Sequence, residues 1–394
     1  LIKCYNICGK GCDYIMLDTA LKVLNIIEDN SYEAYIVGGF ARDYVMGIKS
    51  SDVDITTNAK PKDLINIFPN ANIDNEIYGS VTVYLNNIRF EITTYRDDGN
   101  YLDNRHPLEI KYVDNLKTDL NRRDFTINTI CMDKNGKIVD LLNCRNDIDN
   151  KIIKTIINPL ESFKIDSLRI LRAIRFATTL DFELDKEVKE AIIQSKYLLK
   201  DLSINRKKEE LDKIFSSPNI DKGIMLIKEL GLTDVLYLNN INKIKPCSQV
   251  IGIWMMLEVD DIYPFIRNEL NLMKDIRNAI KNNPLSFTTL YYYDLYPCTV
   301  AGEIIGIPKK EIMDNYRDMS IHKRSDIVID SYDLINHLNI EDGPMISKLW
   351  KEIEVSILNL EVNNAKEELL NFAKKIYTNI NLEKEEFNEA ETTD

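Results

Sequence analysis

The hydrophobic residues of this chain change period once, and that change limits the fold more than any other feature. Up to about Met132 the apolar positions come in short β-branched stretches, EAYIVGG, SDVDITT and YGSVTVYLNNIRFEITTYR, punctuated by Gly38-Gly39 and by a hairpin signal at Asn86-Asn87. From about Ser162 the β signals fade and helical spacing dominates. A chain so divided is expected to be α+β, a mixed sheet with helices followed by an all-α remainder. With 394 residues it has room for two to four compact units. Boundaries are expected near 150, 210 and 290.

Composition removes several function classes. No uninterrupted apolar run approaches 18 residues, so no membrane span is expected, and nothing resembles a cleavable leader. Seven cysteines, an odd number in a large chain, fit a reducing, cytoplasmic setting better than a disulfide framework. The spacing of Cys4, Cys8 and Cys12 is read as chance. The three histidines, His106, His322 and His337, lie apart from any Cys pair, which argues against a His-built metal centre. Met16 opens the stretch MLDTALKVLNIIEDN, and residues 1–15 are expected to precede the natural start or to be weakly ordered.

Net charge is −13, which by itself speaks against a polyanionic partner, but the distribution is uneven. Residues 1–150 carry 17 Lys+Arg against 23 Asp+Glu, residues 151–220 carry 14 against 11, and the remainder 19 against 29. The middle segment alone is net basic, and local potential matters more than the total for an anionic ligand. From Glu383 onward six acids face Lys384, which reads as a solvated, frayed tail.

Asp52 and Asp54 are the sharpest chemical feature. Residues i and i+2 of a strand share a face, and two carboxylates there repel unless a cation lies between them. Mg²⁺ suits such a pair, because it takes hard oxygen ligands and keeps water and phosphate oxygens for the rest. Glu91, on the adjacent hairpin strand, offers a third acid for a two-metal phosphoryl-transfer site. Alone, DVD could be a strand-edge solubility pair. Its neighbourhood argues otherwise: Gly38-Gly39 ends a strand where backbone amides can approach a polyphosphate at a helix N-terminus. Arg42 can add charge-assisted contacts to the same phosphates or form an ordinary ion pair with Asp43.

The joint pattern of VGGFARDYVMGIKSSDVDITT resembles the signature of the class II (bacterial-type) CCA-adding tRNA nucleotidyltransferase and poly(A) polymerase family. DLNRRDFTINT at 119–129, DSLRILRAIRFA at 166–177 and NRKKEELDKI at 205–214 resemble three further blocks of that family, in its order. The resemblance covers about residues 30–215. It implies a nucleotidyltransferase head at 1–150, a helical neck at 151–210, a body at 211–290 and a tRNA-binding tail at 291–394. It implies that Asp52 and Asp54 are the catalytic metal ligands. It also implies that Arg122, Arg123, Asp124 and Asn128 position the incoming nucleotide, and a core could not hide such a polar group unpaired.

For Asp166 and Arg169 the resemblance implies base reading. Cytosine and adenine both offer an amino donor beside an acceptor, whereas guanine and uracil present the reverse order. A fixed carboxylate–guanidinium pair therefore accepts CTP and ATP and rejects the others. Read alone, the two would be an intrahelical ion pair. Arg172 and Arg175 continue the same helix and can face nucleotide or RNA, or in the case of Arg175 simply solvent. Arg206 and Glu210, at i and i+4, are expected to pair and buttress the neck. Ile165, Thr129 and Asn205 depart from the family pattern, and VDLLNCRNDIDNKIIKTI lacks the usual Pro and Gly.

The polar stretch Arg96–Pro107 resembles the loop that accompanies terminal A addition. Full CCA addition to the tRNA 3′ end from CTP and ATP, or A addition alone, is therefore expected, with no obligate protein partner. Poly(A) polymerases share the head motifs but commonly end basic. This acidic end suits shape-based gripping of tRNA better. An inactive RNA-binding relative is the third reading, disfavoured by the intact acid pair. Tyr291, Tyr292, Tyr293 and Tyr296 are expected in the core rather than as stacking platforms.

Overall fold

A computed structural model of the chain describes residues 12–50, 52–72, 79–98, 110–340 and 343–391, leaving aside the side chains of 12–14, 98, 110 and 381–391. Most of the Arg96–Pro107 stretch, Cys4, Cys8, His106 and residues 1–11 lie outside the described residues. The chain divides into two compact units, Leu1–Asn239 and Asn240–Asp394. The boundaries expected near 150 and 210 fall inside the first unit.

In the first unit, α1 (Cys12–Asp29) leads into β1 (Ala34–Val37), α2 (Gly39–Met46), β2 (Val53–Thr57) and α3 (Pro61–Ile67). The hairpin β3 (Ser80–Leu85) and β4 (Ile88–Thr94) follows, turning at Asn86 and Asn87, both at positive φ as a tight hairpin turn requires. Then come β5 (Arg96–Asp98), β6 (Ile110–Tyr112), α4 (Leu116–Asn121), β7 (Cys131–Met132) and β8 (Ile138–Val139). Six strands form one sheet in the order β3-β4-β2-β1-β7-β8. Within it β2 and β4 run parallel and the other pairs antiparallel. Alternation along the strands sends Ile36, Val53, Ile55, Phe90 and Ile92 into a core closed by α1 and α3. Val37 and Cys131 point to the other face, against Leu116 and Leu120 of α4.

The helical part of this unit contains α5 (Arg145–Asp149), β9 (Ile152–Ile153), α6 (Pro159–Ile165), α7 (Leu168–Thr179), β10 (Glu183–Leu184), α8 (Lys186–Ser195), α9 (Ile204–Phe215) and α10 (Ile220–Glu229). It meets the sheet half where Phe125 bridges Thr155, and within it β9 pairs with β10 in parallel. Asp140 accepts from the amides of Cys144 and Arg145, both at 2.9 Å, and so caps α5 in the segment that lacks the family's Pro and Gly.

Sequence expectation and structure part at several points. The first helix begins at Cys12 rather than Met16. The stretch DLNRRDFTINT is not one continuous helix: α4 stops at Asn121, and a single 3₁₀ turn forms at Thr126–Asn128. There the Asp124 carboxylate takes hydrogen bonds from the Phe125 amide and Asn128, which offers the backbone an alternative to the helix.

The second unit consists of α11 (Val250–Leu257), α12 (Arg267–Lys281), α13 (Phe287–Tyr293), α14 (Leu295–Ile305), α15 (Lys309–Asp318), α16 (Ser331–Leu338), α17 (Gly343–Leu358) and α18 (Lys366–Glu391). Trp254 is buried against Tyr263 and Phe265. The four tyrosines expected in the core are not buried. For two of them the hydroxyl gives the reason: Tyr292 donates to Glu354 at 3.2 Å and Tyr296 to Gln249 at 3.1 Å, so these ring ends stay near polar groups. The acidic end, expected to fray, is helical in its backbone through Glu391.

Candidate active site

The site grows from the end of β1. Val37 pairs with Asp54, and the next residue, Gly38, turns with φ 76° and ψ −133° into α2. That backbone is the left-handed region that side chains disfavour. A Cβ on Gly38 would lie 3.6 Å from Asp54 Oδ2 and 3.8 Å from an Arg123 nitrogen. The double-glycine bend and the acid pair are therefore neighbours, as the sequence reading requires.

Along β2, Asp52 and Asp54 are exposed and Val53 between them is buried, so the two acids share the outward side. Glu91 lies opposite Asp54 in the parallel β2–β4 register. The Asp54 carboxyl remains accessible, yet surrounding protein crowds it. Desolvation, then Glu91, raises its pKa above the ordinary carboxylate value, with Asp52 adding to the rise and Arg123 opposing it. Glu91 has an ion pair of its own, 3.4 Å from Arg89. Among the described residues no three Asp, Glu, His or Cys side chains gather into a ready-made cage. The donor set offers hard carboxylate oxygens close together, which fits a divalent ion that completes its shell from phosphates and water.

The second half of the site is dense with arginine. Arg42, buried on α2, donates to Asp43 Oδ1 at 2.6 and 2.8 Å and to Asn128 Oδ1 at 2.8 Å. Its pair with Asp43 is therefore an interior one rather than a surface bridge. Asn128 in turn donates to Asp124 at 3.0 Å, and the other Asp124 oxygen holds Arg172 at 2.5–2.6 Å. Burial alone would raise the Asp124 pKa, but Arg172, Asn128 and Arg169 overcome it and pull it down to about 2.

Arg122 and Arg123 share one anchor that the sequence reading passed over. Asp119, fully buried in α4, binds Arg122 at 2.7 Å and Arg123 at 3.2 Å, and also accepts from Thr56 at 3.1 Å. Burial opposes its ionisation; the two arginines prevail and its pKa is lowered. An acid three and four residues before two arginines, at the end of a helix, was the available signal.

Asp166 and Arg169 do not form the ion pair that their spacing suggests. Asp166 is extended, between the end of α6 and the start of α7, and accepts from the Leu168 amide at 2.9 Å. Desolvation raises its pKa against that hydrogen bond and the nearby Arg169 and Arg172. Arg169 is buried and donates to Ser162 Oγ at 2.8 Å and to the Arg122 carbonyl at 2.7 Å, which ties α7 to the arginine pair below the sheet. Arg175 is not solvated: it lies 2.7 Å from the buried Glu210 of α9. That claims the partner expected for Arg206, which instead sits 3.4 Å from the exposed Glu209.

A family model described as the poly A polymerase head domain matches residues 34–154. A second, described as "Probable RNA and SrmB-binding site of polymerase A", matches 181–240, and a third, tRNA nucleotidyltransferase domain 2, matches 273–373. The chain is 31% identical over 393 residues to the CCA-adding enzyme of Staphylococcus aureus strain bovine RF122, covering 91% of this chain and 98% of that one. The Bacillus stearothermophilus CCA-adding enzyme in complex with CTP superposes with a TM-score of 0.84 at 25% identity, over 94% of this chain and 99% of the other. The Thermotoga maritima CCA-adding enzyme complexed with tRNA shares the fold, with a TM-score of 0.64 at 19% identity over 92% of this chain and 95% of that one.

Proposed function

The chain belongs to the family of CCA-adding enzymes and poly(A) polymerases, and on that premise we propose how its residues carry out the reaction. It is a nucleotidyltransferase that adds CCA to the 3′ end of tRNA from CTP and ATP. The terminal ribose hydroxyl of the RNA attacks the α-phosphorus, a new phosphodiester forms, and the bond to the departing pyrophosphate breaks.

Enzymes of this class work with divalent metal, and Asp52 and Asp54 would hold it here, with Glu91 as a third carboxylate beside them. Mg²⁺ is the ion we assign, because the donors are hard oxygens and the substrate brings phosphates. When bound, it would lower the charge barrier to attack and stabilise the leaving pyrophosphate. Gly38 and Gly39 keep the bend free of side chains for phosphate approach, and Arg42 faces the same bend. Arg122, Arg123, Asp124 and Asn128 form a paired frame for the nucleotide, with Arg172 and Arg175 behind it. Asp166 supplies the acceptor and Arg169 the donor for the base edge. Two of the five guanidinium N–H groups of Arg169 are engaged, by Ser162 and Arg122, which leaves others for a base. A cytoplasmic setting fits a chain in which, among the described residues, no helix is long and apolar enough to cross a membrane.

One observation carries this reading: the Asp54 carboxylate, with Glu91 opposite it in the β2–β4 register, borders the double-glycine bend. The test incubates purified protein with Mg²⁺, CTP, ATP and tRNA lacking its 3′ CCA, and sequences the products. Ordered addition of C, C and A is expected. Runs of A on any RNA would point to poly(A) synthesis, and A alone on tRNA ending in CC would narrow the activity to the last step. No transfer with any divalent ion would overturn the enzymatic reading.

A further inference from the structure

Among the described residues, three of these arginines converge on the side chain of Phe176. The guanidinium of Arg175 lies over its ring at 4.2 Å from the centroid, and those of Arg42 and Arg172 at 5.4 Å each. The Phe125 ring meets it edge-on at 5.7 Å. Phe176 is 6% exposed, so these contacts are largely shielded from water. Each arginine also has its own polar partner: Arg42 has Asp43 and Asn128, Arg172 has Asp124, and Arg175 has Glu210.

Three like charges around one apolar ring is an arrangement that hydrophobic packing alone does not favour. The ring's negative face does favour it, since a desolvated guanidinium within about 6 Å of a centroid is attracted by the quadrupole. The acids fix one side of each guanidinium, and the ring fixes the other. We propose that Phe176 is a positioning residue for nucleotide binding, which uses its π face to hold Arg42, Arg172 and Arg175 at set separations for a polyphosphate. This rests on the reading that Arg42 and Arg172 face the nucleotide. It adds that an uncharged side chain, itself outside the acid pair, sets the affinity for both CTP and ATP through the arginines.

The test replaces Phe176 with mono-, di- and trifluorinated phenylalanine. These keep the shape and remove quadrupole in steps, so a purely structural ring would show no trend. The expected result is a rise in KM for CTP and ATP of roughly two- to threefold per fluorine, with kcat nearly constant. Phe176→Tyr should retain the wild-type KM, and Phe176→Leu, which fills the core without a ring, should lose as much as the trifluoro variant. Arg172→Ala is the control for the underlying assignment. A flat fluorine series with a raised KM in Arg172→Ala overturns the proposal and leaves the nucleotide site standing. An unchanged KM in Arg172→Ala overturns both.

Discussion

Asp54 and Asp124 are both aspartates at the same site, and their surroundings push them in opposite directions. Asp54 is desolvated, Glu91 and Asp52 add to the effect against Arg123, and its pKa is raised. Asp124 meets Arg172 and Asn128, and its pKa falls to about 2 although burial works against it. The end of β2 holds a desolvated carboxylate beside other acids, which suits an ion that arrives with substrate. The arginine half is neutralised in advance by the protein's own acids, so its guanidiniums are held in place before an anion binds. A metal site can be incomplete in the free protein, but a frame that measures a nucleotide must be rigid beforehand.

The largest break in this comparison should come from Asp54→Ala. Loss of a metal ligand is expected to lower transfer by roughly 10³-fold or more, while tRNA affinity measured by filter binding stays near wild type. Retained transfer would remove the metal role. Asp124→Asn attacks the other half. Breaking this largely buried pair should cost about 3 kcal/mol of stability in denaturant unfolding and raise KM for both nucleotides alike. Unchanged unfolding and KM would show that the frame does not depend on it.

The same contrast has a pH signature. The lowered pKa of Asp124 means that its contribution is fully present above about pH 4 and is lost as pH falls toward 2, a matter of about 2 kcal/mol. Asp54, with its pKa raised, works the other way. What it contributes is present below its ordinary value and is lost as pH rises through its raised pKa. In metal-free protein, carboxyl NMR titrations should therefore place the two residues on opposite sides of the ordinary aspartate value. Mg²⁺ should move the Asp54 midpoint down and leave that of Asp124 unmoved. A shared midpoint would erase the comparison.

Asp166→Asn sharpens it at the base. Replacing an acceptor oxygen by an amide donor should cut the preference for CTP over UTP by about tenfold, read from kcat/KM ratios; an unchanged ratio would remove Asp166 from base selection. The smallest effect is expected from Arg206→Ala, within about 0.5 kcal/mol by thermal unfolding, because its pair with Glu209 is exposed while Glu210 serves Arg175. A loss near that of Asp124→Asn would restore the partnership suggested by sequence spacing.

Much of the strand architecture was legible because it is local. The turn at Asn86-Asn87, the exposed-buried-exposed order of Asp52, Val53 and Asp54, and the glycine bend each depend on residues within a few positions. What could not be read is the pairing across distance. Arg172 meets Asp124 across 48 residues, and Arg169 meets the Arg122 carbonyl across 47. Helical spacing made Asp166 and Arg169 look like partners. The chain breaks the helix between α6 and α7, and periodicity does not show a break that a side-chain cap creates. Asp119 escaped notice because its importance lies in being buried, and burial belongs to the packed sheet rather than to the residue.

The bend at Gly38 carries one more consequence. Its dihedral angles, 76° and −133°, are the mirror image of an ordinary extended residue. A protein assembled from L-amino acids has one monomer able to take that shape at little cost. Codon drift at this position therefore meets a dead end in every direction. A chemically ligated D-alanine, whose handedness matches the backbone, would be the exception, because it takes these dihedral angles without strain.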